Sequence, residues 1–204
     1  MPRRYSMGRR GGATERTRTR LRMALVRLLE GKPYGAITMA DIAAEADVSV
    51  RTVQRHYPSK DDLLGACARS AAQAISQGLT AAPPAQSAEE AVRRLVETLF
   101  AVYDRHSAEC RAVYSRAPDV QVVRGATDMA LEARVAHVEA LMARWPQAWA
   151  APVEEAKGAM VALTEYLAWV AFTGAARFAP PQAARIAADM LCRGLLREYE
   201  ANGP

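Results

Sequence analysis

The chain has 204 residues, of which 50% are hydrophobic and only 6% aromatic, with a formal net charge of +5. That is enough apolar material for one or two packed domains, and no run approaches the roughly 18 apolar residues of a membrane span. Cys67, Cys110 and Cys192 are far apart, with no Cys-x-x-Cys pair, which excludes a disulfide framework and points to reduced thiols in a cytoplasmic protein.

The charge is unevenly placed. Residues 1–60 hold 13 Lys and Arg against 5 Asp and Glu, a balance of +8, whereas residues 61–204 balance at −3. A basic N-terminal third on a mildly acidic remainder suggests a polyanion-binding module joined to a body with another task.

In chain order, residues 1–12 carry Arg3, Arg4, Arg9 and Arg10 among Gly, Ser and Pro. With little to bury, they are expected to form a flexible basic arm, either a solvated tail or a strand along DNA. Thr14 reads as the cap of a first helix with an apolar stripe at Leu21, Leu25, Leu28 and Leu29, closed by Gly31 and Pro33. Arg16, Arg18, Arg20 and Arg22 crowd its start, an arrangement better placed beside phosphates than against protein.

Thr38 with Asp41 forms a capping box for a short helix that buries Ile42, Ala43 and Ala46. A turn at Asp47 follows, where the backbone needs a left-handed residue, and Ser49 caps a second short helix from Val50 to Tyr57. Two short helices joined this way form a helix-turn-helix, whose second helix enters a DNA major groove. The exposed side of that helix presents Val50, Arg51, Gln54 and Arg55. Ser59 and Asp62 form another capping box. Lys60 stands in the first turn of that helix, against its dipole, a position that a DNA phosphate would compensate.

A helix of about 60–79 links the basic third to the rest, and the prolines of 81–88 suggest a boundary near there. The remaining periodicity predicts helices over about 88–103, 109–116, 118–145, 152–174 and 181–199. The expected fold is all-α with about nine helices: an arm (1–12), a helix-turn-helix domain (13–60) and a helical body (61–204). The scattered His56, His106 and His137 build no catalytic or metal-binding constellation, no phosphate-binding Gly loop occurs, and no cofactor is indicated.

The run Thr38, Ile42, Ala43, Ala46, Val48, Ser49, Thr52, His56, Tyr57, Ser59, Lys60, Leu63 and Leu64 resembles the signature of the tetracycline-repressor (TetR) family of bacterial transcription regulators. Asp47, Arg51 and Gln54 depart from it, standing where the family usually has Gly, Gly and Tyr. The resemblance implies phosphate contacts at Thr52, His56 and Lys60. It leaves Arg51 and Gln54 to read bases or grip phosphates. The candidate DNA contacts are Arg16, Arg18, Thr38, Ser49, Val50, Arg51, Thr52, Gln54, Arg55, His56, Tyr57 and Lys60.

The resemblance further implies a cytoplasmic homodimer joined through the last two helices, a palindromic operator on double-stranded DNA, and a repressor released by a small ligand. The small residues Gly158, Ala159, Ala162, Ala168, Ala171 and Gly194 fit a close helix interface. Phe100, Tyr103, Tyr114, Met129, Met142, Trp145, Tyr166, Trp169 and Phe172 are the candidate pocket walls, or else plain core; with few charges among them, the expected ligand is apolar or aromatic. The alternative is a DNA-binding regulator without a small-molecule inducer, controlled by a protein or by redox chemistry.

Overall fold

A computed structural model describes residues 7–116 and 120–197. Ten α-helices lie among them: α1 (Met7–Gly31), α2 (Met39–Glu45), α3 (Val50–His56), α4 (Lys60–Ala81), α5 (Ala88–Arg105), α6 (Ser107–Arg111), α7 (Gln121–Arg144), α8 (Val153–Leu163), α9 (Tyr166–Val170) and α10 (Pro180–Leu195). Helix α1 begins at Met7, well before Thr14, so residues 7–12 of the expected arm are helical; residues 1–6, Pro118 and Tyr199 lie outside the described residues. Among the described residues no single helix is long and apolar enough to cross a membrane.

The chain divides into two compact units, and the proline break at 81–88 is not the dividing line. The first unit runs to residue 70 and also takes in 108–126; the second comprises 71–107 and 127 onward. Helices α4 and α7 therefore contribute residues to both.

In the first unit, Leu21, Leu25 and Leu29 of α1, Ile42 of α2, Val53 of α3 and Leu63, Leu64 and Cys67 of α4 are fully buried. Each such Leu or Ile stabilises the unit by roughly 1.5–3 kcal/mol. Cys110, Val113 and Val123, from the later segment, are also buried.

In the second unit, α5 turns Val92, Leu95, Val96, Leu99, Phe100 and Tyr103 inward, and α10 meets it with Ala183, Ala184, Ala187, Ala188 and Leu191. Alanines on α10 let the two helices approach closely. Arg93 of α5 ties the pair by reaching Asp189 at 2.8 Å. Gly78 of α4 is as close to its neighbour, since a Cβ there would stand 2.9 Å from Val102 Cγ2. The tail of α10 is pinned by an isolated antiparallel bridge between Trp149 and Leu196, with Ala150 N donating to Leu195 O at 2.7 Å.

The helix expected over 152–174 breaks in two, which raises the count from nine to ten. Thr164 Oγ1 donates to Met160 O at 2.6 Å, a back-bond that bends helices, and the chain turns by 56° between α8 and residues 166–175. Buried Tyr103 donates its hydroxyl to Thr164 O at 2.9 Å. Arg134 of α7, only 1% exposed, donates to Tyr103 Oη at 3.2 Å and pairs with Glu165 immediately after the break.

Candidate nucleic-acid interface

The helix-turn-helix is held by its caps. Asp41 N donates to Thr38 Oγ1 at 3.1 Å and Thr38 N donates to Asp41 Oδ2 at 2.8 Å, a complete capping box. Those bonds from Thr38, together with Lys32 at 3.1 Å, lower the Asp41 carboxyl to about 2. After α2, Asp47 takes φ = 50°, the left-handed backbone expected at this turn, and Val48 N closes it on Ala43 O at 3.0 Å. Relieving this strain by Asp47→Gly is expected to raise stability by up to about 1 kcal/mol, read as a higher melting temperature with DNA affinity unchanged.

Ser49 starts α3 by accepting from Thr52 N at 3.1 Å, and its hydroxyl meets that of Thr52 at 2.9 Å. Val53 is the buried anchor, which leaves Val50, Arg51, Gln54 and Arg55 exposed on one side, with Ser49. Arg51, Gln54 and Arg55 are the side chains of α3 long enough to reach base edges. Arg16, Arg18 and Thr38 are also exposed.

His56 is half-buried. Burial first, and then the positive charges of Arg55 and Arg18, lower its pKa below the ordinary histidine value. That dependence also places Arg18 of α1 close to the end of α3, so the two helices contribute to one basic surface. The nearby acids are occupied: Glu45 pairs with Arg27 at 2.5 Å, and Asp41 with Lys32.

Two residues of the candidate set stand apart. Tyr57 is 7% exposed, and burial raises its phenol despite the Arg22 guanidinium beside it; it supports α3 from beneath. Lys60 is half-buried, and its Nζ donates to Tyr34 O at 2.8 Å and Ile37 O at 2.7 Å, 4.3 Å from the Tyr34 ring centroid. The cation opposing the helix dipole is thus compensated by backbone carbonyls, which take two of its three N–H donors. The hydroxyl of Tyr34 also donates to Asp61, so the connector 34–37 is clamped to the start of α4. Sequence periodicity carried no sign of this clamp, because it joins residues more than 20 positions apart.

Of the candidate pocket walls, Phe100, Tyr103, Tyr166, Trp169 and Phe172 come together as packed rings, with centroids 6.1 Å apart for Phe100–Phe172, 5.7 Å for Tyr103–Tyr166 and 5.6 Å for Tyr166–Trp169. Met142 is buried. Met129 is 50% exposed on α7, so it is not an interior wall, and Tyr114 belongs to the first unit. Trp145 lines a separate cavity of about 220 Å³ with residues the sequence did not assign to a pocket, among them His137, Leu79 and Leu95. Arg134, the one buried arginine among the described residues of the second unit, was also missed. It falls on the stripe Ala130, Arg134, Val138, Leu141, and a charge at helical spacing among buried positions was the available signal.

Residues 22–67 match the family model described as bacterial regulatory proteins, tetR family. The HTH-type transcriptional repressor LfrR of Mycolicibacterium smegmatis is 39% identical over 88 residues, which are 43% of this chain and 46% of that protein. The match thus spans about half the length of this curated relative. A solved bacterial regulatory protein in the tetR family from Rhodococcus RHA1 superposes with a TM-score of 0.69 at 22% identity, covering 88% of this chain and 97% of the other. NalD, the secondary repressor of the MexAB-OprM multidrug efflux pump in Pseudomonas aeruginosa, gives 0.71 at 20% identity, covering 92% of this chain and 100% of the other. At these identities the two structures speak for the fold. The helix-turn-helix thus matches the model of the tetR-family bacterial regulatory proteins, and the fold along most of the chain is that of solved tetR-family structures.

Proposed function

We propose that the chain is a cytoplasmic transcriptional repressor that binds a palindromic operator as a homodimer and leaves it when a small molecule binds the second unit. On this reading the chain is a regulator and not an enzyme. The observation that carries the reading is the face of α3, where Arg51, Gln54 and Arg55 stand exposed between a Ser49 cap and the Val53 anchor. An arginine fork at Arg51 matches guanine O6 and N7, and Gln54 matches adenine N6 and N7. Arg51→Ala is expected to cost about 1–3 kcal/mol on the preferred duplex and to relax preference at particular positions. A binding selection on randomised duplexes reads this directly; an unchanged profile refutes base reading by Arg51.

Dimerisation through α8–α10 is supported by Val153, Leu167 and Met190, apolar yet exposed, and by Gly158 and Gly194, above which a Cβ would meet nothing within 4 Å. Leu167→Glu with Met190→Lys is expected to give a monomer in analytical ultracentrifugation and to weaken operator binding; a dimer that persists refutes this interface. A two-fold dimer presents its recognition helices to half-sites about one DNA turn, roughly 34 Å, apart or somewhat more. Ligand and DNA would favour different separations of the DNA-binding units. Helices α4 and α7, with residues in both units, are the candidate transmitters.

Control by redox chemistry finds no support. Burial pushes the Cys67 and Cys110 thiols up to about 12 and Cys192 to about 11, which keeps them protonated and unreactive.

A further inference from the structure

The second unit contains a cavity of about 220 Å³ between the end of α4, the loop after it, α5 and the end of α7. Its interior is apolar, with Leu79, Leu95, Leu141 and Trp145 along the walls. A dry cavity of about 150 Å³ accepts benzene, so this one has room for a fused pair of rings.

The polar groups of the lining differ in what they have left to offer. Arg94 is spent: it donates to Pro83 O at 2.7 Å and Pro84 O at 2.6 Å and pairs with Glu90. Glu90 in turn also accepts from Gln86 N at 2.6 Å. His137 and Arg144 are uncommitted. His137 makes no hydrogen bond or ion pair among the described residues, and burial alone holds its imidazole below the ordinary histidine value. Arg144 is exposed at the rim, has no acidic partner among the described residues, and lies over the Trp145 ring at 4.8 Å. The available groups are therefore a cation in fork geometry and an imidazole that gains from a neighbouring negative charge, while the acid near the cavity is occupied. Such a lining selects an acceptor with negative charge attached to an apolar body.

We infer that this cavity is the effector site and that it takes a small aromatic carboxylate, its rings between Leu95, Leu141 and Trp145 and its carboxylate at Arg144 and His137. The inference rests on the proposed release by a small molecule and deepens it by naming the place and the ligand class. It keeps Trp145 and an aromatic ligand body from the sequence expectation and departs from it in the other walls and in the charge. The packed rings around Tyr166 are core, and the ligand is charged at one end.

The probes are 2-naphthoate and its neutral counterpart 2-naphthylmethanol, titrated into the full chain with Trp fluorescence and calorimetry. The carboxylate is expected to bind at least tenfold more tightly than the alcohol. Arg144→Leu, at an exposed position, is expected to remove that preference without affecting the alcohol. Ala140→Trp, which fills the cavity from its rim, is expected to abolish binding of both; circular dichroism and operator binding identify a variant that fails to fold. No saturable binding of 2-naphthoate to millimolar concentration, equal affinity for acid and alcohol, or undiminished binding by a folded Ala140→Trp would each overturn the inference. Adding 2-naphthoate to the operator complex separates the two readings. Binding blocked by Ala140→Trp but without DNA release preserves the site and refutes ligand-driven release. Release that survives Ala140→Trp preserves the mechanism and refutes this site.

Discussion

Arg134→Ala is expected to destabilise the protein by about 3 kcal/mol, the lower end of the cost of breaking a buried ion pair. Arg134 is 1% exposed and serves both Tyr103 Oη and the Glu165 carboxylate. Its loss leaves the Glu165 carboxylate without this cation and takes one donor from Tyr103 Oη, which keeps its bond to Thr164 O, at the place where α8 gives way to α9. The glutamate side chain is 35% exposed, so water relieves part of the penalty and the upper end of about 5 kcal/mol is not reached. Arg134→Met with Glu165→Gln, which removes both charges and keeps volume, is expected to recover most of the loss. Urea unfolding of the three proteins reads the difference. A loss below about 1 kcal/mol for Arg134→Ala would show that the pair is ornamental and that Thr164 alone maintains the bend.

The second large effect concerns salt. If each DNA-binding unit of a dimer neutralises three phosphates, the affinity for its duplex should fall about 10³-fold between 50 and 200 mM salt, following a slope of about −0.9 per phosphate. The groups available are Arg16, Arg18 and Arg55, with Arg51 if it leaves the bases. Lys60, spent on two carbonyls, is expected to contribute nothing to the slope. Lys60→Ala should therefore lower the melting temperature and leave the salt slope unchanged, whereas Arg18→Ala, which removes one contact from each protomer, should reduce the slope by about two units. Equal slopes for wild type and Arg18→Ala would remove α1 from the interface.

The same contrast explains which features were legible beforehand. Caps, turns and amphipathic stripes are local: Thr38 needs Asp41, Ser49 needs Thr52, and the turn at Asp47 needs a residue that tolerates positive φ. Each is written within a few positions, so the helix-turn-helix and the long helices could be read from the sequence. The carbonyl clamp of Lys60 and the burial of Arg134 were missed because their partners lie 23–31 positions away, and a charged side chain on a helix is ordinarily solvated. The start of α1 at Met7 was obscured by glycines, whose low helix propensity outweighs any local signal of order. The break at Thr164 was hidden for the opposite reason, since the residues on either side are good helix formers.

The discontinuous make-up of the first unit has a consequence for biosynthesis. Cys110, Val113 and Val123 belong to its core, so the chain emerging from a ribosome cannot complete that unit when its helix-turn-helix appears. Until the segment 108–126 follows, α1 lacks the turn 112–116 that packs on it, and Gly65 of α4 lacks Val122 beside it. Domains ordinarily fold in order of synthesis, but here the nascent N-terminal part must wait while α5 is made. A chain assembled this way does not complete the unit that holds the helix-turn-helix before the second unit has begun to form.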